Sequence, residues 1–327
     1  MHLCFYLLLL ILSACGGNTQ DAKNRTDALK KWKEPNGKIK VLSTTAMIDD
    51  VVKQIGREHV DTLTLIQGEL DPHSYQLVKG DGENLARANL IFYSGLGLEH
   101  GPSLQQYLQD NQNAIGLGNK IQENAPELIV MCQGQPDPHI WMDISLWART
   151  VPFIVEALSE KDSAHKEYYL KNAEALLSKM QLLHGHLREE LQSIPEEKRY
   201  LVTSHDAFNY FARAYLATDE EVKNDQWFKR VAAPEGLAPD SQLGATDIQG
   251  ILDHVALYDI HVLFAESNVS KDSIRKILTA GEEKGLKLRI ANPALYSDAI
   301  GKKGSDGDTY MKMVEHNAKT IGREISE

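Results

Sequence analysis

Three histidines stand where the chain can aim a side chain rigidly. Two lie in the same tripeptide, Asp71-Pro72-His73 and Asp137-Pro138-His139, 66 residues apart. Proline fixes its own φ, so each imidazole leaves the chain from a predefined turn. The third, His205, ends the β-branched run YLVTS and precedes the helical pattern DAFNYF. In α/β folds, ligand sites gather at the carboxyl ends of strands. Imidazole nitrogens suit zinc, iron, nickel or copper, and an added carboxylate makes manganese tolerable. Two carboxylates at further strand ends offer the oxygen: Asp298 in LYSDAIG and Glu266 after VLFA. The residues alone do not choose between them. With no thiolate in the set, soft Cu(I) is disfavoured, and the intrinsic affinity order places Zn(II) above Fe(II) and Mn(II). An imidazolium cannot bind a cation, so affinity is expected to fall as pH drops through about 6.5.

The other histidines offer less. His184 and His186 are two residues apart on one helical pattern and face different ways. His59, His165, His254 and His261 have no companions of ligand type nearby in sequence and read as surface or packing residues. Asp71 and Asp137 are candidates to accept from the ligand rings and fix their tautomers. The loop GKKGSDGD at 301–308 lacks phosphate-loop spacing and reads as a turn whose Asp308 caps the last helix. Dinucleotide, HEXXH and nucleophile-elbow motifs do not occur.

Strands must carry these residues. Lys38 to Thr45, Thr62 to Ile66, Leu90 to Tyr93 and Ala114 to Leu117 read as strands, with helical spacing from Ala46 to Arg57. The pattern restarts with strands at Tyr200 to Thr203, 260–265 and Leu286 to Ala291, and helices at Asp206 to Leu216 and Lys271 to Lys284. Strands alternating with helices indicate parallel β-α-β units, hence an α/β fold of two halves. Between them, Tyr169, Ala173, Leu176, Met180, Leu183, Leu187, Leu191 and Ile194 recur every three or four residues before Pro195. That is one helical face over 166–194, roughly 43 Å long. Such a rod limits how far two halves can open.

The net charge of -11 argues against a nucleic-acid partner, which would need a basic face. Three cysteines cannot build a thiolate cluster or a disulfide scaffold. Phe5 to Leu12 is an unbroken apolar run, too short to span a bilayer and suited to a signal peptide over 1–14, although no Lys or Arg precedes it. Leu12-Ser13-Ala14-Cys15 resembles the bacterial lipobox, which implies lipidation of Cys15 and a polar tether over 15–37.

The motifs together resemble the metal-binding solute-binding proteins of bacterial ABC importers for zinc, manganese and iron. DPHSYQLVKGD, YSGLGLEHG, DPHIWMD and TSHDAFNYFARAY carry the likeness, followed in family order by APEGLAP, FAESNVS, LYSDAIG and TYMKMVEHNAKTI. It covers residues 38 to 325. The resemblance implies two pseudo-symmetric α/β lobes, 38–165 and 195–327, joined by one long helix, with the metal in the cleft between them. It implies His73, His139, His205 and Asp298 as metal ligands and one divalent transition metal ion (Zn, Mn or Fe) as transported cargo. It further implies an ABC permease as partner, and a place in the periplasm or on the outer side of the cell membrane. A monomer held to the membrane by lipid is expected. Ile121 to Asp137 holds no histidine, unlike the His-rich loop of some zinc-dedicated members, and His205 stands where many manganese members have Glu. A secreted zinc hydrolase with Asp298 as base, or an adhesin role beside transport, are the competing readings; no enzymatic activity is expected.

Overall fold

The computed structural model describes residues 29–239 and 243–327. The expected signal segment, Cys15 and most of the tether lie outside the described residues; within the tether, 29–33 is helical. No helix among the described residues is long and apolar enough to cross a membrane.

The first four apolar runs form one parallel sheet: β1 (Ile39–Ser43), β2 (Val60–Thr64), β3 (Leu90–Tyr93) and β4 (Ala114–Gly116), in the order β2-β1-β3-β4. Val41, Leu42, Ile91 and Phe92 are fully buried, as parallel strands covered on both faces must be. A short antiparallel hairpin, β5 (Met131–Cys132) with β6 (Gln135–Pro136), precedes the second DPH turn. In the second half, β7 (Leu201–Val202) pairs with β8 (Val231–Ala232), and β9 (Val262–Leu263) with β10 (Arg289–Ile290), all parallel. The Phe264 amide donates to the Val202 carbonyl at 2.8 Å and joins the two pairs. The resulting order, β8-β7-β9-β10, repeats that of the first sheet. Strand β8 escapes sequence reading because two residues carry no periodicity.

Four helices hold the two halves together: α1 (Ala46–Gly56), α2 (Val151–Lys161), α3 (Lys166–Gln192) and α4 (Tyr310–Ser326). Helix α3 buries Tyr169, Ala173, Leu176, Met180, Leu187 and Leu191, which is the face its spacing predicts. It packs on α1 and α2 of the first half and on α4 and a π-helical turn, Ala212–Leu216, of the second. Asn172 Nδ2 donates to the Ile55 carbonyl at 2.9 Å, and Gln192 Nε2 to the Tyr215 carbonyl at 2.8 Å.

Two local expectations need correction. The helix expected from Asp206 begins only at Asn209 and relaxes into the π turn after Phe211. The Ala207 amide donates to the His205 carbonyl at 2.9 Å, a tighter turn than a helix makes, so the chain leaves β7 without a helical start. The last helix is capped by the Thr309 side chain, which accepts from the Lys312 amide, and not by Asp308. Asp308 instead accepts from the Gly304 amide at 2.7 Å and closes the 301–308 loop on itself.

Candidate metal centre

The two DPH turns are built alike. In each, the aspartate accepts a hydrogen bond from the amide of the histidine two residues on, Asp71 Oδ1 from His73 at 2.8 Å and Asp137 Oδ1 from His139 at 2.9 Å. The Asx turn plus proline points the ring away from the backbone. His205 follows β7, its amide held by Glu266 Oε1 at 3.0 Å. Asp298 follows β10 in a loop pinned from the first half, since Trp141 Nε1 donates to the Ser297 carbonyl at 2.9 Å.

These four side chains meet. His73 Nε2 lies 3.3 Å from His139 Nε2. Asp298 Oδ1 lies 3.4 Å from His139 Nε2, and its Oδ2 3.3 Å from His205 Nε2. One donor atom from each residue falls within 4.8 Å of all the others. All four are buried, none above 3% exposed. Two buried atoms that face the shared point, Asp298 Oδ1 and His205 Nε2, have no hydrogen-bond partner among the described residues. Buried polar atoms normally find partners, so a cluster facing one point without them calls for a cation.

Carboxylates stand behind two of the rings. Asp137 Oδ1 accepts from His139 Nδ1 at 2.7 Å, and Glu266 Oε2 faces His205 Nδ1. With Nδ1–H turned to a carboxylate, the Nε2 lone pair is left for a metal. Burial alone would lower the pKa of His139, but Asp137 and Asp298 outweigh it and raise it to about 9. His205 behaves likewise: burial opposes its charge, Glu266 and Asp298 win, and its pKa is raised well above the usual value. For His73 burial dominates and the pKa falls well below 6.5. Burial pushes Asp298 upward, yet His205 and His139 bring it well below the carboxylate range.

The carboxylate that sequence left in competition with Asp298 thus acts beside it: Glu266 orients His205. Asp137 takes the same part for His139, whereas Asp71 makes no contact with its ring and binds Ser74 Oγ with its other oxygen at 2.5 Å. Trp141 also sets its ring edge-on to His139 at 5.3 Å. Burial, reinforced by Asp206 and Asp137, pushes the Cys132 thiol up to about 12, which leaves it a protonated packing group near the site. His59 and His165, expected to stand alone, come together with Asp162 in a separate cluster.

A cavity of about 330 Å³ borders His73 and is lined by Leu96, His100, Gln135, Asp206 and Leu237. The turn that supplies Leu96 and Gly97 to its wall has left-handed backbone at Gly95, Leu96 and Gly97, with φ of 76, 55 and 86°. Glycine adopts that region without strain, which explains the GLG of the 93–101 motif. A larger cavity of about 700 Å³ lies at the amino-terminal edge of the second sheet, beside Tyr200, Ile260 and Arg289, and touches none of the four.

A family model described as zinc-uptake complex component A, periplasmic (ZnuA), matches residues 41–324. The chain belongs to this family. Among similar proteins, the metal-binding protein YtgA of Chlamydia trachomatis is 38% identical over 287 residues, covering 88% of this chain and 86% of the relative. The manganese-binding lipoprotein MntA of Bacillus subtilis is 34% identical over 295 residues, covering 90% and 92%. The crystal structure of Fe(III)-bound YtgA from Chlamydia trachomatis matches with a TM-score of 0.83 at 38% identity, over 88% of this chain and 98% of that one. The periplasmic zinc-binding protein TroA of Treponema pallidum gives 0.80 at 30% identity, over 89% and 100%. The ZnuA family is one of substrate-binding transport proteins, and the resemblance drawn from the sequence motifs is borne out in family and in fold.

Proposed function

We propose that this chain captures a divalent transition metal ion (Zn, Mn or Fe) outside the cytoplasmic membrane and hands it to the permease of an ABC importer, with His73, His139, His205 and Asp298 as the ligands. The observation that carries this reading is the convergence of four buried donor atoms within 4.8 Å, two of them lacking any other partner among the described residues. Three Nε2 lone pairs and one carboxylate suit a borderline to moderately hard ion. The relatives named above bind zinc, manganese and iron, and the donor set is compatible with each. Residues 38–165 and 195–327 serve as the two lobes. Lipidation at Cys15 would hold the protein as a monomer at the outer face of the membrane.

Asp298 lies among the imidazole nitrogens, so a hydrolytic role would strip the ion of its oxygen ligand; the family's transport character also favours a carrier over an enzyme. Release requires displacement of a ligand, because two of the rings are held by carboxylates and the lobes share α3. Competition titrations of Zn(II), Mn(II) and Fe(II) against wild type and Asp298→Ala test the assignment. A large loss of affinity for every ion is expected in the variant. Unchanged affinity would remove Asp298 from the ligand set and this reading with it.

A further inference from the structure

The second cluster of metal-binding side chains lies away from the cleft. His59 ends the 3₁₀ turn Arg57–His59 immediately before β2, while Asp162 and His165 occupy the turn between α2 and α3. The fold therefore joins residues about a hundred positions apart at the amino-terminal edge of the first sheet. Cleft ligands gather at the opposite, carboxyl edge.

One ring nitrogen from each histidine and one oxygen of Asp162 fall within 4.8 Å of one another. The carboxylate is not loose: Asp162 Oδ2 accepts from Tyr169 OH at 2.7 Å, and Tyr169 is fully buried in the core. The same oxygen accepts from His165 Nδ1 at 2.7 Å. The rings of His59 and His165 stack with centroids 3.8 Å apart and planes 25° from parallel. Beside them lies a cavity of about 400 Å³, lined also by Glu58, whose carboxylate accepts from Tyr168 OH at 2.7 Å. Lys161, also at its rim, donates to Asn113 at 3.1 Å.

We propose that His59, Asp162 and His165 form a second metal site, which takes a borderline divalent transition metal such as Zn(II). Two imidazoles and a carboxylate, with water in the remaining positions, match the open three-ligand zinc arrangement. Nitrogen dominance selects Zn(II) over Mn(II), which favours oxygen. Coordination opens the stack, because imidazole lone pairs lie in the ring planes. The side chains of His165 and Asp162 are 43% and 22% exposed, so the site exchanges with solvent and is weaker than the buried cleft.

The test is calorimetric titration of the full chain with Zn(II) at neutral pH. Two ions per wild-type chain are expected, one tight and one weaker. The His59→Gln/His165→Gln variant is expected to bind only the tight one, with its affinity unchanged. His73→Ala/His139→Ala is expected to keep the weaker one, which separates this proposal from the cleft assignment. Asp162→Asn, which can keep the Tyr169 contact, should weaken the second site by about tenfold or more. A single ion in wild type, or a second ion that survives His59→Gln/His165→Gln, overturns the proposal.

Discussion

The turns Asp71-Pro72-His73 and Asp137-Pro138-His139 share sequence and backbone hydrogen bonding, yet their imidazoles are chemically unlike. Around His73 the support is local: Asp71 bonds the next residues, Ser74 included, and the ring borders a cavity beside His100. Around His139 the local aspartate is itself held from across the molecule. Asp137 Oδ1 accepts from the ring Nδ1–H, Asn209 Nδ2 donates to its other oxygen at 3.0 Å, and Tyr210 OH donates to its carbonyl at 2.8 Å. Burial then lowers the pKa of His73, while the carboxylates raise that of His139. A tripeptide fixes where a ring starts; whether its aspartate turns to that ring, and what charge faces it, depends also on residues remote in sequence such as Asn209 and Asp298.

The contrast between the two turns is tested most sharply at the rings. His139→Ala removes a ligand and leaves Asp137 buried with one acceptor site unused, so its loss of metal affinity should exceed that of His73→Ala. Both should be larger than the 10–100-fold typical of a supporting group. Competition titration against a chelator measures both, and equal losses would erase the distinction. Next come the aspartates. Asp137→Asn should weaken binding about 10–100-fold, while Asp71→Asn stays within a few-fold. Asp71→Ala should cost about 1 kcal/mol of stability through the lost turn hydrogen bonds, read by denaturant unfolding.

The smallest effect is on pH. His139, raised to about 9, stabilises the metal-free fold fully below pH 6.5, and that contribution is lost as pH rises through about 9. The metal-free melting temperature should therefore decline between pH 6.5 and 9, and the metal-loaded one much less. Metal binding must expel the protons on His139 and His205 but none from His73. Affinity should thus climb across that window, above the value of about 6.5 that an unperturbed histidine would give. Calorimetry in buffers of different ionisation enthalpy counts the protons; release of none at pH 7 would contradict the assignment.

Much of this was legible because the signals were local. The Pro-fixed turns, the strand end at His205 and the face from Tyr169 to Leu191 each depend on neighbours within a few residues. The long helix ends at Gln192, two residues before its expected limit, since Ser193 and Ile194 turn the chain into Pro195. What escaped depends on long-range pairing. Glu266 and Asp298 look equivalent in sequence, and only the β9–β10 pairing and the bridge between Glu266 and Leu295 put one behind His205 and the other in front of it. The meeting of His59 with His165 likewise needs α1 and α2 to end at the same edge of one sheet. The late start of the helix after His205 follows a tight turn in which the Ala207 amide meets the His205 carbonyl, which the DAFNYF pattern does not announce.

Helix α3 has one more implication. A single apolar cluster runs from Val41 through Tyr169, Met180 and Leu191 to Ile325, so the beam belongs to the interior of both halves. The second half keeps a smaller core of its own around Val202, Ile251, Leu263 and Ile277, but cutting the chain near Pro195 would expose Leu187 and Leu191 on one fragment and Val314 and Ile321 on the other. The two halves must then melt as one cooperative unit, and a severed half should be insoluble by itself.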